Sequence, residues 1–326
     1  MLEDGAIRYL SADDVEASLP PLDERLALAE EALVALARGD AEMPPKIGIH
    51  PRPDAFLHAM PAHLRGRELA GIKWVAGGYP DNVRLGLPAI NALIILNDPG
   101  TGVPTAVLDG SRITSVRTAA VSGVAISRFA PRDASRVALI GAGVQGSSHL
   151  PVIVGLLPGA ELCIYDQHPE RSERLAERAR GLDGAGRART ALTAREAVDG
   201  ADVVLTMASF GPVRQVMTEE WLTPGALVVP VDFATYCSAE VARSAALFLV
   251  DDDPQFRYYR ELGHFDGYPD PAETLGQAIV RGASRQERPP GRIVSTALGI
   301  GLADVVFGDA VVRRAIADGR GQRLPR

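Results

Sequence analysis

The run Val137 to Gly146, VALIGAGVQG, constrains the fold of this chain more than any other stretch. Four apolar residues lead into Gly141, Gly143 and Gly146 at G-x-G-x-x-G spacing, and the residues beyond are helical in pattern. A strand that turns tightly into a helix uses Gly141 for the turn, Gly143 to let a ligand approach the backbone, and Gly146 for close helix packing. The N–H groups that open such a helix face outward and favour a pyrophosphate. Twenty residues past Gly146, Asp166 closes the next apolar segment, ELCIYD. A carboxylate there accepts hydrogen bonds from ribose hydroxyls and repels a 2′-phosphate, so NAD is the expected cofactor ahead of NADP. Arg171 and Arg174 nearby are the counter-signal. The candidate cofactor contacts are Gly141, Gly143, Val144, Gln145, Gly146 and Asp166, together with Thr118, Thr206 and Ser209.

The same run prevents a misreading. From Val137 to Ala160 the only ionisable side chain is His149, and the stretch is long enough to span a membrane. The polar GAGVQGSSH at its centre divides it into a short strand and a short helix, which is the pattern of a buried parallel βα unit. Pro151 inside that helix predicts a kink or a shortened first segment. Beyond it strands and helices alternate through ELCIYD, PERSERLAERARGL, DVVLTMA, ALVVPVD and LFLVDD, which implies a doubly wound parallel sheet.

The N-terminal third has a different texture. A capped start at Ser11 and the helix DERLALAEEALVALARGD, ended by Gly39, are followed by AFLHAM, ELAGIKWVAG, AINALIILND and PTAVLDG. Pro, Gly and Asn separate these segments, which read as strands of an antiparallel or mixed sheet. TAAVSGVAISRFA reads as a helix, and the tail GRIVSTALGIGLADVVFGDAVVRRAIADG carries apolar residues at helical spacing and is expected to pack back on the chain.

With 326 residues, 46% hydrophobic and 23% charged, the chain has the composition of a globular protein with room for two domains. A formal net charge of -7 argues against a nucleic-acid partner, which needs a concentrated Lys/Arg field. Cys163 and Cys237 have no paired metal-ligand spacing, and His50, His63, His149, His168 and His264 form no HxxxH or HExxH motif. Neither a disulfide framework nor a metal site is expected. MLEDGAIRYL has no apolar leader pattern, so the cytoplasm is the expected location.

VVPVDFATY, residues 228–236, ends an apolar run on Asp232. A carboxylate in that position must be capped, paired or used.

The segments PPKIGIH (44–50), HAMPA (58–62), GIKWVAGGYPDN (71–82), GLPAINALIILNDPGTGVPTAVLDG (86–110) and VRTAAVSG (116–123), followed by VALIGAGVQG, resemble the ornithine cyclodeaminase and mu-crystallin family in order and spacing across nearly the whole chain. The resemblance implies an α/β homodimer. Residues 1–117 with 299–326 would form an α+β substrate-binding and dimerisation domain, and residues 118–298 a Rossmann dinucleotide-binding domain. It also implies that Lys46, Lys73 and Arg117 hold a substrate carboxylate, and that Asp232 and Lys73 are catalytic, Asp232 orienting the substrate amine and relaying its proton. Lys46, in a Pro-rich stretch, reads equally as a solvated charge. Two departures touch the substrate shell: His58 stands where cyclodeaminases carry Glu, and Ala234-Thr235-Tyr236 replaces the usual Pro-Gly-Lys. His58 is accordingly either a ligand contact or a partner of local backbone. Met60, Trp74, Tyr79, Asn91, Phe233 and Tyr236 are candidate pocket walls.

The activity this implies is NAD-dependent hydride exchange with the α-carbon of an amino or imino acid, as in an amino acid dehydrogenase or a ketimine reductase. An ornithine or lysine cyclodeaminase, a lyase that releases ammonia and recycles its NAD, is the alternative, and a non-catalytic ligand binder of mu-crystallin type is a third. What separates the first two is whether an amine on the substrate's own tail reaches the imine before water does. No membrane partner is expected.

Overall fold

Hydrogen-bond pairing sorts the strands into two eight-stranded sheets among the residues that the computed structural model describes, 5–209 and 214–325, the side chain of Val83 excepted. The sheets belong to two separate units, Met1–Arg117 with Ile300–Arg326, and Thr118–Gly299.

The first unit contains β1 (Ala6–Leu10), β2 (Ala41–Glu42), β3 (Ile47–Arg52), β4 (Ala55–Leu64), β5 (Leu69–Gly77), β6 (Asn91–Asn97) and β7 (Pro104–Asp109). The C-terminal strand Gln322–Pro325 pairs antiparallel with β1, and β1 pairs parallel with β7. The order then runs β7–β6–β5–β4–β2, with β3 also paired to β4. Helix Leu22–Arg38 ends where Gly39 turns left-handed at φ 72, a conformation that a side chain would oppose. The helix Gly301–Ala317 packs on β4, β5, β6 and on Leu22–Arg38.

Alternation fixes what each face of this sheet carries. Met60, Lys73 and Ile94 lie side by side across β4, β5 and β6, and point toward the helices. One residue on, Ala59, Trp74 and Leu93 form the neighbouring row on the opposite face, extended by Ile47 of β3. That outer face stays open: Ile47, Ile49, Trp74 and Leu93 are all exposed.

The second unit is parallel throughout: β8 (Arg136–Ile140), β9 (Glu161–Tyr165), β10 (Ala188–Thr190), β11 (Val203–Thr206), β12 (Leu227–Pro230), β13 (Leu247–Val250), β14 (Glu273–Thr274) and β15 (Ile293–Thr296). Their order is β10–β9–β8–β11–β12–β15–β13–β14. Connections leave β8 toward β9 and β10 on one side and toward β11 and β12 on the other, which makes the β8/β11 junction the switch point where open α/β sheets take ligands. β11 and β12 are buried along their whole length, each large apolar side chain contributing roughly 1.5–3 kcal/mol.

Two expectations are corrected. Ile293–Thr296 is a fully buried strand rather than part of a helical tail, and with β-branched Ile293, Val294 and Thr296 it fills the place between β12 and β13. The helix after the glycine turn runs from Val144 to Leu156 with Pro151 inside it, so of the two outcomes expected of that proline, a kink or a shortened segment, the shortening does not occur. No helix among the described residues is long and apolar enough to cross a membrane.

His149 joins two helices of this unit. Its Nδ1 lies 2.7 Å from the Gln145 carbonyl and its Nε2 lies 2.9 Å from Ser122 Oγ in helix Ser111–Phe129. Burial lowers its pKa to about 4, so the ring is neutral. A carbonyl cannot donate; Nδ1 therefore carries the proton, and the Ser122 hydroxyl donates to Nε2.

The glycines of the turn make separable demands. A Cβ on Gly146 would sit 2.5 Å from the Gly141 carbonyl oxygen and 3.1 Å from Leu175, whereas a Cβ on Gly143 meets nothing within 4 Å. Gly146→Ala is expected to cost about 1–3 kcal/mol and lower the Tm, while Gly143→Ala leaves it in place; thermal unfolding of the two variants checks the contrast.

Candidate active site

The glycine turn of the second unit has the geometry that a phosphate cradle requires. Gly141 adopts φ 104, and a Cβ there would lie 2.5 Å from the Met207 carbonyl at the end of β11. Gly143 caps the helix with no side-chain hydrogen bond, so the first N–H groups are left to a ligand. Val144 is exposed at the helix start and Gln145 half-buried, its Oε1 buried without a hydrogen-bond partner. Asp166, just past β9, accepts from the Ala142 N–H at 2.8 Å and from the His168 N–H at 2.9 Å, which holds its carboxylate against the glycine turn. These groups fit a dinucleotide, and Asp166 fits its ribose. Ser209 is exposed beyond β11, and Thr118 is buried one residue past Arg117 in helix Ser111–Phe129.

Asp232 is 1% exposed. Its Oδ1 accepts from the Thr206 hydroxyl at 2.7 Å and its Oδ2 from the Ala208 N–H at 3.1 Å, tying the end of β12 to the end of β11. The carboxylate is therefore capped, by neutral donors. The same bond occupies Thr206, which sequence assigned to the cofactor. Burial pushes the Asp232 pKa up to about 7 against the pull of these hydrogen bonds. A group that titrates there can both give and take a proton at neutral pH.

The residues that follow are held firmly. Phe233 takes a left-handed φ of 54, unfavourable for a side chain, and its ring packs 4.9 Å from Tyr259, 5.6 Å from His264 and 5.7 Å from Phe265. Gln215 accepts from the Ala239 N–H through Oε1 and donates its own N–H to the Ala234 carbonyl. Tyr236 is half-buried; burial raises its pKa to about 12, and Tyr165, Asp232 and Asp166 add to the rise.

The first unit gathers three cations. Lys73, 1% exposed on the helix-facing side of β5, reaches Asp304 Oδ2 at 2.7 Å; Arg117 donates through Nε to Asp304 Oδ1 at 2.9 Å. Burial first, and then the Arg117 charge, pull the Lys73 pKa down to about 7, with Asp304 opposing and Lys46 adding to the fall. Lys46 is 8% exposed, which sets aside its reading as a solvated charge. Two of these cations, Lys73 and Arg117, meet the single carboxylate of Asp304, and Lys46 lies near enough for its charge to act on Lys73; such a grouping suits an anionic ligand such as a carboxylate.

His58 lies on the same sheet face, opposite Gly48 in β3 and Val75 in β5, with its ring stacked 4.4 Å from Phe56. Met60 lies beside Lys73. Trp74 and Asn91 belong to the opposite face, since both alternate with residues of the Lys73 row, and they do not line this site. Tyr79 is half-buried beyond β5. Asp304 was not among the residues that sequence singled out. Its signal was present: one carboxylate inside GLADVVFG, at i+3 from Gly301 and within an otherwise apolar helix face.

Comparison with known proteins returns one consistent picture. The model of the ornithine cyclodeaminase/mu-crystallin family matches residues 8–318. The nodulation efficiency protein NfeD of Rhizobium meliloti is 36% identical over 310 residues, 94% of each chain. Among solved structures, Delta(1)-pyrroline-2-carboxylate reductase of Thermococcus litoralis, in complex with NADH and L-proline, matches at 26% identity and TM-score 0.85 over 97% of this chain and 99% of its own. An archaeal alanine dehydrogenase, a dimer with bound NAD, matches at 29% identity and TM-score 0.85 over 98% and 99%.

The raised pKa of Asp232 has a consequence for stability. Between the ordinary value of 3.8 and about 7 the folded chain keeps a proton that the unfolded chain has released, so stability falls as pH rises through that window. Asp232→Asn removes this dependence. The Tm of the variant relative to wild type is expected to climb from pH 4 to pH 7 and level off above, and calorimetry across that range checks it.

Proposed function

The chain belongs to the ornithine cyclodeaminase/mu-crystallin family, and from that premise we propose that it is an NAD-dependent oxidoreductase that exchanges hydride with the α-carbon of an amino or imino acid. The observation that carries the reading is the buried cation cluster of Lys46, Lys73 and Arg117. Burying Lys73 and Arg117 against a single Asp304, with the Lys46 charge nearby, is costly for a fold and useful for binding a carboxylate. The Arg117 Nη groups and the Lys73 ammonium hold that carboxylate, which fixes the position of the α-carbon.

In the second unit the glycine turn takes the pyrophosphate, and Asp166 takes the ribose and selects NAD over NADP. Bound NAD supplies the hydride acceptor or donor. Asp232, titrating near neutrality, takes the amine proton when an amino acid is oxidised and returns it when an imine is reduced. Water adding to the imine carbon, followed by cleavage of the C–N bond and release of ammonia, completes an oxidative deamination. His58, on the Lys73 face where a cyclodeaminase places a carboxylate, gives a side-chain ammonium no counter-charge, which favours dehydrogenase or imine reductase over cyclodeaminase.

Absorbance at 340 nm with NAD and a panel of amino acids, and with NADH and cyclic or ammonia-derived imines, tests the assignment. Net NADH change is expected; ammonia release without it would assign a cyclodeaminase, and failure to bind either NAD or NADP would overturn the reading. Asp232→Asn is expected to keep NAD affinity and lose at least about 100-fold in turnover.

The exposed row of Ile47, Trp74 and Leu93, with Ile49 beside it, supports a homodimer formed by two such sheet faces, consistent with the dimeric archaeal alanine dehydrogenase. Light scattering is expected to give twice the chain mass, and a monomer at micromolar concentration would remove the dimer from the proposal.

A further inference from the structure

Asp304 bridges two cations that come from distant segments, and its own helix is clamped in place. On helix Gly301–Ala317 the residues Gly301, Asp304, Val305 and Gly308 form one stripe at helical spacing. A Cβ on Gly301 would come 3.0 Å from the Met60 carbonyl, one on Gly308 would come 3.3 Å from Ile94, and Val305 lies against Gly71. Met60 and Ile94 are the residues that flank Lys73 in the sheet. The two glycines thus bring the helix axis close enough for the short Asp304 side chain to reach Lys73 and Arg117.

We propose that Asp304 is the positioning residue of the anion site: it fixes Arg117 by its Nε edge and holds Lys73 beside it, so that the Nη groups and the remaining ammonium protons point to one bound carboxylate. This rests on the proposed carboxylate-binding role of the cluster. Arg117 alone would repel Lys73, and an anion between them lets both cations be held charged at short range. The charged groups that bear on Lys73 are Arg117 from helix Ser111–Phe129, Asp304 from the C-terminal helix and Lys46 ahead of β3; His58 of β4 shares its face. Asp304 is what opposes the fall in the Lys73 pKa. Its loss makes Lys73 neutral at lower pH.

The experiment uses the full-length protein, with NADH affinity by fluorescence as the folding control for each variant. Asp304→Asn is expected to raise the amino acid KM at least about tenfold with a smaller change in kcat, and to move the alkaline limb of kcat/KM down by about one pH unit or more. Asp304→Glu restores the limb toward its original pH. A folded Asp304→Asn with unchanged KM and unchanged limb overturns the proposal. If Asp304→Asn does not fold, Lys73→Gln is compared with Asp304→Asn/Lys73→Gln, which removes cation and anion together. A further rise of KM in the double variant supports Asp304 as the anchor of Arg117, and equal KM values overturn it. A wild-type protein that binds NADH but turns over no amino or imino acid refutes instead the reading on which this one rests.

Discussion

A carboxylate in the apolar stripe of a buried helix is tolerable only if cations come to it. Asp304 is fully buried, and the cations come from β5 and from the first turns of helix Ser111–Phe129. Much of the first unit follows from that meeting. β5 presents Lys73 inward, glycines at positions 301 and 308 let the helix close on the sheet, and Met60 and Ile94 wall the ion pair from water. Apolar residues of the same volume would be as stable or more so. The proposed carboxylate-binding role accounts for such a cluster better than stability does.

The second unit meets the same difficulty by another route. Among the described residues no cation hydrogen-bonds to Asp232; a hydroxyl and a backbone N–H satisfy its oxygens, and the penalty of burial appears in its proton affinity. Asp304 is held by full charges and Asp232 by dipoles. Environments that differ in this way suit identical side chains to different work, Asp304 to the anchoring and Asp232 to the proton transfer proposed for them. Lys73 titrates in the same region as Asp232, each displaced from its ordinary range chiefly by burial.

What sequence could disclose was local. The glycine spacing, the alternating strand and helix segments, and Asp166 at a strand end all depend on neighbours within a few residues, and those readings correspond to β8, β9 and the helix between them. Trp74 shows a local rule left unapplied: in a strand, Lys73 and Trp74 cannot face the same way. Ile293–Thr296 was beyond local reading, because four residues, two apolar and two hydroxyl-bearing, are too few to show a period of their own. Thr206 and Asp304 were hidden for a different reason. The Thr206 hydroxyl is claimed by Asp232 only because β11 and β12 are adjacent and in register, and Asp304 finds Arg117 across 187 residues of sequence. Long-range pairing of this kind is a property of topology, and composition does not reveal it.

His149 carries one more consequence. Its Nδ1–H is shut between a helix carbonyl and the protein interior, on a ring that burial keeps neutral and Ser122 keeps in one tautomer. Solvent deuterium can replace that proton only when the two helices part. The exchange rate of this single imidazole hydrogen is thus a clock for the opening of the second unit, ticking with the local unfolding of the scaffold beneath the glycine turn rather than with the surface motions of its loops.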